Sequence, residues 1–263
     1  MIRKWVRRFL NRRNYEIIKQ EYLGDLYPNI SKENDIYHCI TPIGEYYLPF
    51  DVQNDPVTNT IARGRYFEPK IIEVAKKYIK LNSTVIDIEA NFGQMSIEFS
   101  KFVGNSGKVI SFEAQNFVYK CLEKNIKANS CNNIDIYSLA VYNESGLTFY
   151  FKNLEKSNTY SMNGVTKEIS NSLPVQTVTI DSLEIATPIS FIKVDIQGAD
   201  LFALQGAINT IQKYKPAIIF EYEEQFQETF GTKFQDYVDF VSEINYRFEK
   251  TIDGINYLLL PND

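Results

Sequence analysis

The sequence predicts an α/β fold built on a mostly parallel sheet, and three observations carry that prediction. From residue 84 onward, short β-branched runs alternate with segments of helical period, the pattern of βαβ units. The apolar run Val85-Ile86-Asp87-Ile88 leads into Glu89-Ala90-Asn91-Phe92-Gly93, a strand feeding a small-residue turn before the next helix. Near the other end, Tyr246 to Thr251 and Ile255 to Leu260 flank Asp253-Gly254, a hairpin signal that closes the parallel sheet with antiparallel strands.

The elements follow in order. Residues 1–13 carry Arg3, Lys4, Arg7, Arg8, Arg12 and Arg13 with no acid, a charge of +6 that leaves −11 on the rest of a chain of net charge −5. Ile2, Trp5, Val6, Phe9 and Leu10 recur there at helical spacing, which predicts a short basic amphipathic helix. Arginine interrupts the apolar residues, so the segment does not read as a signal peptide. It suits either an anionic membrane surface or packing of Trp5 and Phe9 on its own domain. Residues 14–66 are rich in Tyr, Asn, Pro and Gly, with extended pieces such as Glu45 to Phe50, and predict a loop-and-hairpin cap. Glu68 to Lys80 has helical period, with Pro69 tolerated in its first turn.

The core then predicts strand 84–88, helix 94–103, strand 108–113, helix 116–129 and strand 134–141. Leu147 to Phe151 and Val175 to Ile180 are further strands around a polar insertion, residues 153–173. Strand 189–195, helix 199–213, strand 217–222 and helix 233–244 precede the terminal hairpin. The expected division is a basic helix and cap over 1–66 and a sheet domain over 67–263.

Composition bounds the function classes. A chain of 263 residues, 44% hydrophobic and 23% charged, buries a full core and is not a disordered chain. No apolar stretch reaches the roughly 18 residues of a spanning helix. Cys39, Cys121 and Cys131 lack zinc-type spacing, and a lone histidine, His38, builds no histidine-rich metal site. A reduced, cytoplasmic protein is the expectation, with the basic helix as its route to the inner membrane surface.

In an open parallel sheet, ligands lie beyond the carboxyl ends of the strands at the point where strand order reverses. Asp87 ends the first core strand, and Glu113 ends the second, 20 positions after Gly93. An acid at that distance is placed to accept hydrogen bonds from both ribose hydroxyls of an adenosine and to repel a 2′-phosphate.

Several segments together resemble the FkbM-type S-adenosylmethionine-dependent methyltransferases. They are Val85 to Met95, Lys108 to Ala114, Ala140-Val141, and above all Phe191-Ile192-Lys193-Val194-Asp195-Ile196-Gln197-Gly198-Ala199-Asp200, with Gly64 to Pro69 similar to the family's pre-core segment. The likeness covers about residues 60–223. It implies a Rossmann-like class I methyltransferase sheet, and S-adenosylmethionine held by Asp87, Glu89, Ala90, Asn91, Gly93, Glu113, Ala114 and Ala140. Two positions depart from the family pattern. Glu89 replaces the loop glycine, and Gln197 with Asp200 replaces a glutamate pair. If residue 89 takes a left-handed backbone, it carries a cost of about 1–3 kcal/mol. If the backbone is ordinary, its carboxylate points away from the methionyl carboxylate or toward the ammonium.

Methyl transfer to a hydroxyl needs alignment and a group that takes the hydroxyl proton. Asp195 is the first candidate, as base or as ligand for a divalent cation, followed by Glu221, Glu223 and His38. Strand-end acids also cap helices, and a lone histidine is often structural. The resemblance implies O-methylation of a sugar or nucleotide-activated sugar, not a nucleic acid, in surface polysaccharide assembly, and a homodimer stays open. A catalytically silent binding module is the alternative that Glu89 raises. An NAD-linked oxidoreductase is disfavoured because the loop is not G-x-G-x-x-G.

Overall fold

The computed structural model describes residues 30–33, 36–49, 55–154, 165 and 169–262. The expected basic helix over 1–13 and much of the insertion over 153–173 lie outside these residues.

The central sheet is assembled from strands covered on both faces. β4 (Thr84–Ile88) and β10 (Ile189–Val194) are buried at every position, as parallel strands between helix layers must be. With β5 (Lys108–Phe112), β6 (Ile134–Tyr137) and β11 (Ala217–Glu221) they form the parallel part of a seven-stranded sheet. The hairpin β12 (Tyr246–Thr251) and β13 (Asn256–Pro261) completes the order β12-β13-β11-β10-β4-β5-β6. β13 runs antiparallel to both its neighbours, the closure that Asp253-Gly254 predicts. Strand order reverses between β4 and β10, whose register sets Asp87 beside Lys193.

Helices seal the two faces. α1 (Pro56–Ala62) is capped by Asp55, whose carboxylate accepts from the Val57 and Thr58 amides. α2 (Pro69–Tyr78) buries Ile71, Ile72, Val74 and Ala75, and α3 (Gln94–Val103) buries Ile97, Phe99 and Val103. On the opposite face α8 (Phe234–Glu243) lays Tyr237, Phe240 and Val241 against Ile192, Val194 and Phe220. Truncating one such large core side chain to alanine costs about 2–5 kcal/mol.

Residues 30–49 form an antiparallel sheet of β1 (Ile30–Glu33), β2 (Ile36–Thr41) and β3 (Gly44–Pro49). The outer edge of β3 is satisfied by α4 (Asn116–Ala128) and the residue that follows it. The Asn125 and Asn129 side chains accept from the Tyr47 and Glu45 amides, and Asn129 Nδ2 donates back to Glu45 O at 2.6 Å. Two asparagines four apart thus occupy an edge that would otherwise offer unpaired backbone. Gly44, at φ 142°, leaves room for this contact, because a Cβ there would lie 2.5 Å from Asn129 Oδ1.

Three expectations change. The predicted strand 134–141 is two strands: β6 stays in the central sheet, and β7 (Ala140–Val141) pairs with β9 (Ser172–Val178), which also pairs with β8 (Thr148–Lys152). The helix expected over 199–213 is broken into α5 (Asp200–Gln205) and α6 (Ile208–Tyr214) at Gly206. There the backbone approaches Tyr142 so closely that a Cβ would lie 2.1 Å from its carbonyl oxygen. A short α7 (Glu224–Gln227) forms where a loop was expected. Among the described residues, no helix is long and apolar enough to cross a membrane.

Candidate active site

A cavity of about 1130 Å³, counting its open mouth, lies at the carboxyl ends of β4, β10 and β11. Its wall draws on α1 (Pro56, Val57, Ile61), the segment before α2 (Phe67, Glu68), the turn after β4 (Glu89 to Phe92), and the ends of β10 and β11 (Asp195, Glu221, Glu223). The cavity thus sits at the switch point of the sheet, where open α/β sheets bind ligands.

Lys193 is the pivot of the floor. Its ammonium lies 3.2 Å from Asp195 Oδ2 and 3.9 Å from Asp87 Oδ1, and donates to the Glu89 carbonyl at 3.0 Å. Burial pulls this ammonium down, but Asp195, Asp87 and Glu68 together hold it above its ordinary value. Asp87 is fully buried and accepts from Ser96 Oγ, while its Oδ1 has no hydrogen-bond partner. Burial raises its pKa against the opposing pull of Lys193. Asp87 therefore does not line the cavity; it anchors Lys193 from below.

The turn after β4 runs through unusual backbone. Among the described residues, eight non-glycine residues have φ between 47° and 65°, and four of them line the cavity: Glu68 (48°), Glu89 (65°), Asn91 (54°) and Gln197 (47°). Such conformations cost about 1–3 kcal/mol each and persist where the surroundings over-determine them. Gly93, at φ 82°, ends the turn and opens α3. Gln94 ties the turn to the pre-core segment, accepting from the Phe67 amide at 2.7 Å and donating to Arg65 O at 3.0 Å.

Glu113 is bonded into the turn after β4. It is 1% exposed and absent from the cavity wall. Its Oε2 accepts from the Asn91 amide at 2.9 Å and its Oε1 from the Gln115 amide at 2.8 Å. Burial pushes it up to about 7, and those two amides pull the other way. In this arrangement Glu113 braces the turn. Ala114 and Ala140 also lie off the wall, packed with Phe151 and Val175 where the β8–β9 pair meets the sheet. Ala90, by contrast, does line the cavity.

The expected acids do meet. Asp195, Glu221 and Glu223 share the wall with Glu89. Glu221 is pushed well up by burial and then by Asp195, to which its side chain is hydrogen-bonded. Burial raises Glu89 as well, aided by Glu113 and Asp195 and opposed by Lys193. Asp200 is pushed up to about 7 by burial and then by Asp195, while it accepts from the Ile196 and Gly198 amides and so shapes the turn after β10. His38 is not part of this group. Its Nε2 lies 2.7 Å from Glu45 Oε1 and its ring stacks on Tyr47 at 4.6 Å, its cross-strand neighbour. That places it on the small antiparallel sheet, off the cavity wall.

Sequence reasoning gave no role to Lys193, Glu68 or Gln94. The signal for Lys193 was a charge inside Phe191-Ile192-Lys193-Val194, since a doubly covered strand admits a lysine only with buried partners. No equivalent signal marked Glu68 or Gln94.

S-adenosylmethionine carries a sulfonium and an ammonium. The cavity fits that cationic end, because its described wall presents five carboxyl groups, Glu68, Glu89, Asp195, Glu221 and Glu223, against the single ammonium of Lys193. Glu89 and Asn91, on the turn after β4, are the residues placed to hold it.

Among solved structures, 15% of aligned positions are identical in methyltransferase FkbM from Methylobacillus flagellatus, with a TM-score of 0.46, covering 77% of this chain and 52% of that one. The chain thus spans about half the length of that relative. A SAM-dependent methyltransferase from Aquifex aeolicus is 12% identical over 74% of this chain and 97% of that one, with a TM-score of 0.41. Precorrin-6y C5,15-methyltransferase from Geobacter metallireducens is 13% identical over 73% and 86%, with a TM-score of 0.43. No curated protein matches the sequence. Residues 87–248, from the buried acid of β4 to the terminal hairpin, match the methyltransferase FkbM domain, and the chain belongs to that family.

Proposed function

We propose that the chain is an O-methyltransferase that uses S-adenosylmethionine to methylate a sugar hydroxyl during assembly of a surface polysaccharide. The observation that carries this reading is the Asp195–Glu221 pair on adjacent strand ends facing the cavity. When bound, S-adenosylmethionine supplies a methyl group activated by its sulfonium. The chain must orient a hydroxyl in line with that methyl and take its proton as the oxygen–carbon bond forms. Asp195, fixed by Lys193 and hydrogen-bonded to Glu221, is the acceptor for that proton. The sugar and the polysaccharide setting draw on the family, which often serves glycan and secondary-metabolite pathways.

The test is turnover of S-adenosylmethionine with neutral monosaccharides, with S-adenosylhomocysteine as the readout. Asp195→Asn keeps the shape and removes the charge, so turnover falls at least about 100-fold while cofactor affinity holds. Cofactor binding without turnover on any hydroxyl acceptor would instead favour a methyltransferase-fold binding module. Near-normal turnover in Asp195→Asn moves the proton acceptor to Glu221 or Glu223.

A further inference from the structure

Glu68 opens α2, where a residue normally caps the helix with its side chain, yet it makes no such bond. Its backbone is left-handed, at φ 48°, a conformation a glutamate adopts at a cost. Both features turn its carboxyl toward the cavity, which it lines. There Oε1 accepts from Asn256 Nδ2 at 3.1 Å. Asn256 is itself buried and fixed by Asp253 on the β12–β13 turn, with Nδ2 3.1 Å from Asp253 Oδ2. In the sheet, Asn256 is the register partner of Glu221. Glu68 is thus clamped beside the Asp195–Glu221 pair by a residue 188 positions away in sequence, while its other oxygen makes no hydrogen bond to a described residue. Burial and then Asp195 raise its pKa to about 7, Asp253 adds to this, and Lys193 and Asn256 oppose it.

We propose that Glu68 is a specificity-determining residue of the acceptor site, a carboxyl group that accepts hydrogen bonds from the hydroxyls of a neutral sugar and repels anionic sugars. This rests on the sugar-methyltransferase reading and narrows it. Glu221 and Glu223 share the wall, and the one lysine on the described wall already serves Asp195 and the Glu89 carbonyl. Above about pH 7, where Glu68 ionises, a uronate or phosphate brought against it meets like charge with no cation released to pair it, whereas a neutral hydroxyl finds an acceptor.

The experiment compares D-galactose with D-galacturonate as binding probes for the full chain with S-adenosylhomocysteine present, in wild type, Glu68→Gln and Glu68→Asp. Wild type binds galactose the more tightly. Glu68→Gln narrows that preference by at least about fivefold, chiefly by gaining galacturonate affinity, because one like charge has gone. Glu68→Asp keeps the charge and the preference, and aspartate tolerates the left-handed backbone. An unchanged melting temperature in Glu68→Gln separates this outcome from a folding defect. An unchanged preference in folded Glu68→Gln, or equal binding of the two sugars by wild type, overturns the assignment to Glu68 and leaves the methyltransferase reading standing. If wild type binds neither sugar, the sugar-acceptor reading falls and this inference falls with it.

Discussion

After β4 the chain turns through Glu89 to Gly93 with its polar groups already engaged, whereas after β10 and β11 it presents carboxyl groups to open space. On the first side the Asn91 amide is held by Glu113 and the Glu89 carbonyl by Lys193. On the second, Asp195, Glu221 and Glu223 face the cavity, each partly exposed. Two adjacent strand ends thus divide the work of a group-transfer site. One is a strained cradle braced by bonds within the protein, and the other is a set of carboxyl groups that line the cavity. Lys193 joins them, since it bonds to the cradle's carbonyl and to the first acid of the reactive side.

Removing that joint has the largest expected effect. Lys193→Met keeps the stem and deletes the ammonium, stranding the fully buried Asp87 and releasing Asp195 and the Glu89 carbonyl. Breaking a buried ion pair from one side costs about 3–5 kcal/mol, so denaturant unfolding shifts by that amount. Adding Asp87→Asn recovers part of the loss by removing the stranded charge. A Lys193→Met variant as stable as wild type would mean that the two sides are built independently.

A smaller effect sharpens the same comparison through pH. Glu113 on the cradle and Asp200 behind the reactive side are both pushed up to about 7. A folded value above the unfolded one means the folded chain keeps protons that the unfolded chain has released. The resulting stability is fully present below about pH 4 and is lost as the pH rises through about 7. Lys193 stays protonated in both states across that window and does not change the sign. Each acid contributes on the order of 1–3 kcal/mol to the fall. Glu113→Gln and Asp200→Asn should each flatten the profile of unfolding free energy between pH 4 and 7. A flat wild-type profile would show that these acids ionise without penalty.

The sheet was legible in the sequence because its strands are short, β-branched and bounded by turn residues, and because Asp253-Gly254 sits between two alternating runs. The acids of the cavity wall were legible too, since Asp195 and Glu221 close predicted strands and Glu223 follows one, and that is where the cavity opens. The cradle was harder to read. Position along the strand places Glu113 at a ribose, but only the folded turn shows two backbone amides claiming its oxygens first. The break at Gly206 depends on contact with Tyr142, which lies 64 residues earlier and leaves no local trace. Likewise the Glu68–Asn256 bond spans nearly the whole domain, so no window of sequence contains it.

The smallest expected effect is at Glu89, where strain and side chain make opposing demands. Its φ of 65° answers the question that the sequence left open: the family's glycine position does require a left-handed backbone here. Glycine would relieve about 1–2 kcal/mol of that cost and give back about 0.5–1 kcal/mol in unfolded-chain entropy, so Glu89→Gly stabilises the fold by about 0.5–1 kcal/mol. The Lys193 bond survives, since it is made to the backbone carbonyl. The Glu89 carboxyl group lies on the cavity wall, where an incoming ammonium would meet it. Burial raises its pKa, and an incoming ammonium would favour the ionised form. Glu89→Gly and Glu89→Gln should therefore both bind S-adenosylmethionine more weakly by about 1 kcal/mol, although only the glycine variant gains stability. Wild-type affinity should also rise with pH as the proton is released more easily, a slope the Gln variant lacks. If calorimetry finds both variants binding as tightly as wild type, the carboxyl does nothing for the cofactor, and Glu89 is a strained substitution that the braced turn merely tolerates.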